Sequence, residues 1–262
     1  MALYERFYNH LTKCLQDRDA FNHFKSADDL DYMTEHRGLD QFKDGFLQQI
    51  LTHCRMLNLN VDTVLTRCQI NDRDGAPFLS TIQYHDRTYH ISPNTLRYID
   101  KGLHMLLLFN HFRNQSIKIL ELGAGYGGQR LILGVLCDLL QIKIDLYTII
   151  DYPQVCQFCQ YYLKQVDIDV DILCYDNGHM KDLSTHYNLF FSNYALGELP
   201  QDVQSYYIHR IFNNVDHFYL LYNNFLEHGR VNDDLLKYHP LILQEIPLTG
   251  SDNKLIISDA SL

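Results

Sequence analysis

From residue 116 onward the chain alternates short apolar runs with amphipathic stretches, and this rhythm constrains its fold more than any other feature. "IKILEL" (117–122) is followed by the helical pattern "RLILGVLCDLL", and "KIDLYTII" (143–150) by "PQVCQFCQYYLKQ". "VDILCY" (170–175) and "YNLFFSNYAL" (187–196) come next, then the helical pattern "QDVQSYYIHRIF" and a fifth run, "HFYLLYN" (217–223). Runs this uniformly apolar suit strands buried on both faces. Strands separated by helices must pair in parallel, because the chain has to cross over between them. The predicted core is therefore an α/β, Rossmann-like, mostly parallel seven-stranded sheet with helices on both faces. At the end, "LILQEI" and "KLIIS" flank the turn-rich "PLTGSDN" and predict a terminal antiparallel hairpin.

Before residue 91 the pattern is different. Leu3, Phe7, Leu11 and Leu15 recur at helical spacing, as do Leu39, Phe42, Phe46, Ile50 and Leu51. "FLSTIQYHDRTYHIS" alternates and breaks at His85-Asp86, which predicts a short hairpin. Ser92-Pro93 then supplies a helix cap and a proline suited to the first turn, opening a helix to about Phe112 that carries Leu96, Ile99, Leu103, Leu106 and Leu107. The expected organisation is a mainly helical N-terminal cap over residues 1–90 and a ligand-binding core over 91–262.

Charge and composition narrow the function. The 22 basic and 32 acidic residues leave a net charge of −10, which disfavours nonspecific nucleic-acid binding. No run approaches the ~20 apolar residues of a membrane span, and the start of the chain lacks a signal-peptide core. Seven scattered cysteines read as reduced thiols. Together these predict a cytoplasmic protein with no nucleic-acid partner and no membrane span. Cys156-x-x-Cys159 has zinc spacing but no second ligand pair, so no metal site is expected.

The first strand runs into Gly123-Ala124-Gly125-Tyr126-Gly127-Gly128, a G-x-G-x-x-G loop between a strand and a helix. Such a loop lays its backbone against a ligand. Glu121, two residues earlier, bears on which ligand. Like charges ~4 Å apart repel by roughly 4 kcal/mol at an effective dielectric near 20, so a dinucleotide pyrophosphate is disfavoured there. S-adenosylmethionine, with its sulfonium and ammonium, is favoured. Asp151, ending the second strand, suits the ribose hydroxyls of either cofactor. Tyr175 and Asp176, ending the third, would stack on the adenine and accept from its amino group.

These motifs also carry a resemblance. "LELGAGYGGQ", then "IIDYPQV" and "QYYL", "FFSNYALGELP", "YLLYNN" and the preceding "SPNTLRYIDKGLHMLLLF" resemble the sugar O-methyltransferase family of the class I S-adenosylmethionine-dependent methyltransferases. The similarity spans about residues 91–227. Tyr152 stands where the family favours Leu, while the neighbouring Asp151 is retained. The resemblance implies methyl transfer from S-adenosylmethionine to a sugar or glycan hydroxyl. It extends the cofactor set, already holding Glu121, Gly123, Ala124, Gly125, Tyr126, Asp151, Tyr175 and Asp176, to Tyr152, Ser192 and Asn193.

The acceptor hydroxyl must lose a proton, so a general base is expected. Glu198, after the fourth strand, is one candidate. It would equally orient the acceptor, or complement the dipole of the following helix. His228 is a second candidate base. Asn223 and Asn224 would hydrogen-bond the acceptor. Arg97 and Tyr98, on the helix before the loop, would line a lid beside Tyr126, with Tyr84 and Tyr89 as neighbouring aromatic surface. Two alternatives accompany this reading: a nicotinamide-dependent oxidoreductase using the same loop, and a binding protein that keeps the fold without turnover.

Overall fold

A computed structural model describes residues 2–26, 37–168, 171–174, 183–223, 230–251 and 253–258. Its contacts fall into two compact units. One comprises Met1–Asn110, Gly125–Gln141 and Gln157–Asp169; the other comprises His111–Ala124, Ile142–Cys156 and Val170–Leu262.

The first unit is mainly helical. It holds α1 (Ala2–Gln16), α2 (Arg18–Asn22), α3 (Lys43–Leu57) and α4 (Val61–Cys68). The hairpin of β1 (Ser80–Tyr84) and β2 (Arg87–Ile91) follows, then α5 (Pro93–Leu108), α6 (Gly128–Leu139) and most of α7 (Pro153–Lys164). Local chemistry sets the boundaries. Asp17 caps α2 through the backbone N–H groups of Asp19 and Ala20, and Asn60 caps α4 through that of Thr63. Helix α3 stops where Asn58 turns left-handed. The hairpin turns at His85-Asp86, as its sequence predicts, with His85 at φ 51°.

Helix α5 starts at the predicted Ser92-Pro93, with the Ser92 hydroxyl accepting from Thr95 N at 3.1 Å. Leu96, Ile99, Leu103 and Leu106 are buried, as their spacing predicts. Asn94, Thr95, Arg97, Asp100 and Lys101 are buried along with its apolar face. The helix is central to the unit, and Gly102 shows how closely α6 approaches, since a Cβ there would lie 2.8 Å from Leu136 Cδ1. Among the buried charges, Asp100 and Lys101 pair with each other, which offsets the cost of burying them. Lys101 Nζ lies 3.0 Å from Asp100 Oδ2, and His53 Nδ1 lies 3.4 Å from Asp100 Oδ1. Burial, reinforced by the Lys101 charge, pushes His53 down to about 4, leaving its imidazole neutral near pH 7.

The second unit is built on one sheet in the order β5-β4-β3-β6-β7-β9-β8. Its strands are β3 (Ser116–Leu122), β4 (Lys143–Asp151), β5 (Asp171–Cys174), β6 (Tyr187–Asn193), β7 (Val215–Tyr222), β8 (Leu241–Gln244) and β9 (Lys254–Ile257). The first five pair in parallel, and β9 joins antiparallel to both β7 and β8. This is the Rossmann-like, mostly parallel architecture with a terminal antiparallel hairpin that the alternation predicts. Helices α8 (Gln201–Ile211) and α9 (Asp233–Leu236) belong to this unit. Tyr207, Ile208 and Ile211 of α8 and Leu235 of α9 share a buried apolar cluster with Leu120, Leu122, Phe190 and Leu220 of the sheet. Residues one place out of step, such as Glu121 and Phe191, point to the opposite face.

Sequence order reverses at β3, which pairs with β4 on one side and β6 on the other. Ligands of open α/β sheets bind outside the carboxyl ends of the strands at such a reversal. Among the described residues, no helix is long and apolar enough to cross a membrane.

Candidate functional site

At the carboxyl end of β3, Glu121 is 1% exposed and accepts a hydrogen bond from the Tyr147 hydroxyl at 2.7 Å. Tyr147 stands on the adjacent strand β4, opposite Ile119 and thus on the same face as Glu121. A carboxylate in such a setting is held by a fixed donor rather than by water. Sequence reasoning anticipated the carboxylate but not the tyrosine behind it. The two residues are 26 apart in sequence, and only the strand register brings them together.

Asp151 ends β4 half-buried, with Oδ1 accepting from Tyr152 N at 2.8 Å. The Tyr152 side chain is 38% exposed. Ser192 is fully buried, and its hydroxyl is engaged on both sides. It donates to Leu122 O and accepts from Leu196 N, each at 3.0 Å, tying the end of β3 to the turn after β6. Asn193 is half-buried.

The turn after β6 carries a network that sequence gave no signal for. Tyr194 adopts φ 72°, which is uncommon for a residue other than glycine. Its N–H donates to Leu221 O at 2.7 Å, and its hydroxyl donates to Glu245. Glu245 is itself buried and also accepts from Thr249 Oγ1 at 2.7 Å and Asn253 Nδ2 at 2.9 Å. The turn is thereby pinned to the terminal hairpin.

Glu198 and Asn223 come together. Asn223 Nδ2 lies 3.5 Å from Glu198 Oε1. Asn223 is 5% exposed, and its Oδ1 is buried with no hydrogen-bond partner among the described residues. A buried acceptor left without a donor is costly, and such atoms call for an explanation. The backbones close in here too, since a Cβ on Gly197 would fall 2.1 Å from Asn223 O. Only glycine permits that approach. A cavity of about 400 Å³ opens elsewhere in this unit, lined by Gln201, Ser205, Arg230 and Asn232 among others. None of the expected site residues lines it.

The glycine loop begins in the sheet unit and ends in the helical one. Gly123, Gly125 and Gly127 all have positive φ, at 79°, 55° and 94°. Their surroundings differ. A Cβ on Gly123 would meet Ala195 Cβ at 2.0 Å, and one on Gly127 would meet Cys159 Sγ at 2.7 Å. One on Gly128 would lie 2.5 Å from Tyr98 and 2.7 Å from Tyr126. These three glycines are needed for packing. A Cβ on Gly125 would meet no described residue within 4 Å. Ala124, beside it, is buried.

Within the helical unit, Tyr126 is 1% exposed. Its hydroxyl accepts from Asn71 Nδ2 at 3.1 Å and Asn94 Nδ2 at 3.4 Å. Arg97 and Tyr98 are also buried, with the guanidinium 5.3 Å from the Tyr98 ring centre. Tyr89 is buried and donates to Asp62, while Tyr84 stacks on His85. Burial pushes the Tyr162 phenol well above its usual range, and the Asp74 and Asp72 carboxylates act in the same direction. Tyr175, Asp176, Asn224 and His228 lie outside the described residues. Among the described residues no group of three or more His, Cys, Asp or Glu side chains is placed to hold a metal ion.

No protein-family profile matches the chain, and no curated protein is detectably similar to it. Among solved structures it is similar to that of a Thermoplasma acidophilum protein, at 14% identity and TM-score 0.40 over 61% of this chain and 86% of that one. It is similar to magnesium protoporphyrin IX methyltransferase (ChlM) from Synechocystis PCC 6803 with bound SAM, at 14% identity and TM-score 0.40, covering 62% of this chain and 80% of that one. It is also similar to the mitomycin 7-O-methyltransferase MmcR, at 13% identity and TM-score 0.41, where 63% of this chain spans 57% of the other.

Proposed function

We propose that this protein is an S-adenosylmethionine-dependent O-methyltransferase acting on a hydroxyl of a sugar or glycan. The observation that carries the reading is a buried carboxylate, Glu121, at the end of the strand that leads into the glycine loop, together with a second loop glycine whose Cβ would meet no described residue within 4 Å. A carboxylate beside the loop suits a cationic ligand and opposes an anionic one. Gly125 offers backbone without a side chain where such a ligand would lie. Glu121 and Asp151 would hold the ligand's ammonium and ribose, and the bound cofactor would supply an electrophilic methyl group. The acceptor is the finer part of the reading and rests on the motif resemblance together with Glu198 and Asn223. Glu198 would take the proton that the acceptor hydroxyl loses. Asn223 would hold the acceptor by taking a hydrogen bond from a neighbouring hydroxyl through Oδ1, which has no other partner among the described residues.

Titration calorimetry tests the cofactor. Binding of S-adenosylhomocysteine with no heat from NAD is expected. Tight NAD binding with no response to S-adenosylhomocysteine would replace this reading with the oxidoreductase. Asp151→Ala is expected to weaken S-adenosylhomocysteine binding by about 1.5–3 kcal/mol, the range for hydrogen bonds to a charged group. Unchanged affinity would remove Asp151 from the site. The acceptor is tested by following S-adenosylhomocysteine release with a panel of free sugars, sugar nucleotides and oligosaccharides. Release with none of these but with a phenolic acceptor would reject the sugar assignment and keep the methyltransferase.

A further inference from the structure

We propose that the N-terminal helical segments set the ligand-binding conformation of the glycine loop, and that they do so through Tyr126 as a positioning residue. This rests on the reading of the loop as an S-adenosylmethionine site.

Tyr126 is flanked by two left-handed residues, Gly125 at φ 55° and Gly127 at φ 94°. Glycines reach many backbone conformations at little cost, so a loop of this kind needs an outside constraint to keep one of them. The Tyr126 side chain supplies it by pointing into the helical unit. Phe24 and Tyr162 meet its ring edge-on, each with centroids 5.4 Å apart, and Lys25 Nζ lies 4.8 Å from the ring centre. The hydroxyl takes its two amide donors from Asn71 and Asn94. These partners come from four stretches of chain: the segment after α2, the turn after α4, the first turn of α5, and α7.

Each partner is held in turn. Lys25 Nζ donates to Asn71 O. Asn71 Nδ2 also donates to Thr95 Oγ1 at 2.7 Å, and its Oδ1 accepts from the Tyr162 hydroxyl at 3.1 Å. Asp72 fixes the start of α5 by accepting from Ser92 N, Ser92 Oγ and Thr95 Oγ1 at 2.7–2.8 Å. Moving Tyr126 would strand buried donors at several points, so the network has one low-energy arrangement. The loop is thus gripped from behind by its tyrosine, while a Cβ on Gly125 would meet no described residue within 4 Å. Tyr126, Lys25 and Asn71 act on ligand affinity through the loop backbone and need not touch the ligand.

The experiment uses the full chain carrying Tyr126→Phe, which keeps the ring and removes the acceptor of both amide bonds. Two quantities are read: S-adenosylhomocysteine affinity by calorimetry, and amide hydrogen exchange at residues 125–128 without ligand. The dissociation constant should rise about five- to thirty-fold, the equivalent of one or two hydrogen bonds. Exchange at the four amides should quicken by a similar factor. Val64→Ala, which removes buried volume from α4, is the stability control and should lower the melting temperature while leaving both readings in place. Should Tyr126→Phe not fold, Lys25→Met removes the cation above the ring and should give the same pair of changes. Unchanged affinity and exchange in a folded variant would overturn the proposal. So would failure of both variants to fold, since the network would then be holding the unit rather than the loop. If the native protein does not bind S-adenosylhomocysteine, the cofactor reading fails, and the ligand-free exchange decides the positioning role by itself.

Discussion

Gly125→Val should eliminate measurable S-adenosylhomocysteine binding in a protein that still folds. Two effects combine at this position. A β-branched residue at φ 55° is forced into a region it rarely occupies, at a cost of about 1–3 kcal/mol. The added methyl groups would also fill the space beside Gly125, where no described residue comes within 4 Å of a Cβ. Because no described residue occupies that space, the fold gains no clash there and the loss falls on the ligand. Gly123→Val is the informative comparison. Its Cβ would meet Ala195 at 2.0 Å, so this variant should fail by unfolding. Circular dichroism with calorimetry separates the two. If Gly125→Val binds S-adenosylhomocysteine as the native protein does, the loop is not the cofactor cradle.

Glu198→Gln should lower turnover by about 10²–10⁴-fold, the usual contribution of a general base, with cofactor affinity nearly unchanged. The amide keeps the shape of the side chain and its reach to Asn223, 3.5 Å away, but accepts no proton at working pH. Single-turnover rates and calorimetry on one preparation give both numbers. Normal turnover would move the base to another residue, with His228 next in line. A parallel loss of cofactor binding would make Glu198 a structural carboxylate at the start of α8.

The parts of this molecule that were legible in sequence are those fixed by local chemistry. Ser92-Pro93 marks the start of α5 because cap and φ restriction act within one turn. The apolar runs identify β3, β4, β6 and β7 because burial on both faces leaves no polar alternation. Side-chain roles set by distant partners were not legible. Nothing in the Ser/Asn motif around Ser192 reports that its hydroxyl braces Leu122, 70 residues away. A solvated Arg97 is one reading of the sequence, but α5 is buried nearly all round. The Tyr194–Glu245 contact links residues 51 apart, a separation at which no local pattern reports a partner.

The helical unit is closed by three separate stretches, the last ending at Asp169. A ribosome releases those stretches in order, at about 5–20 residues per second. The first 110 residues therefore emerge without α6 and α7, and α5 waits with Gly102 uncovered on the side that α6 later packs. Two strands of the sheet, β3 and β4, have been made before the helical unit can close. Nascent chains of this protein thus have to carry two unfinished cores at once. Vectorial synthesis gives its N-terminal half no head start in folding.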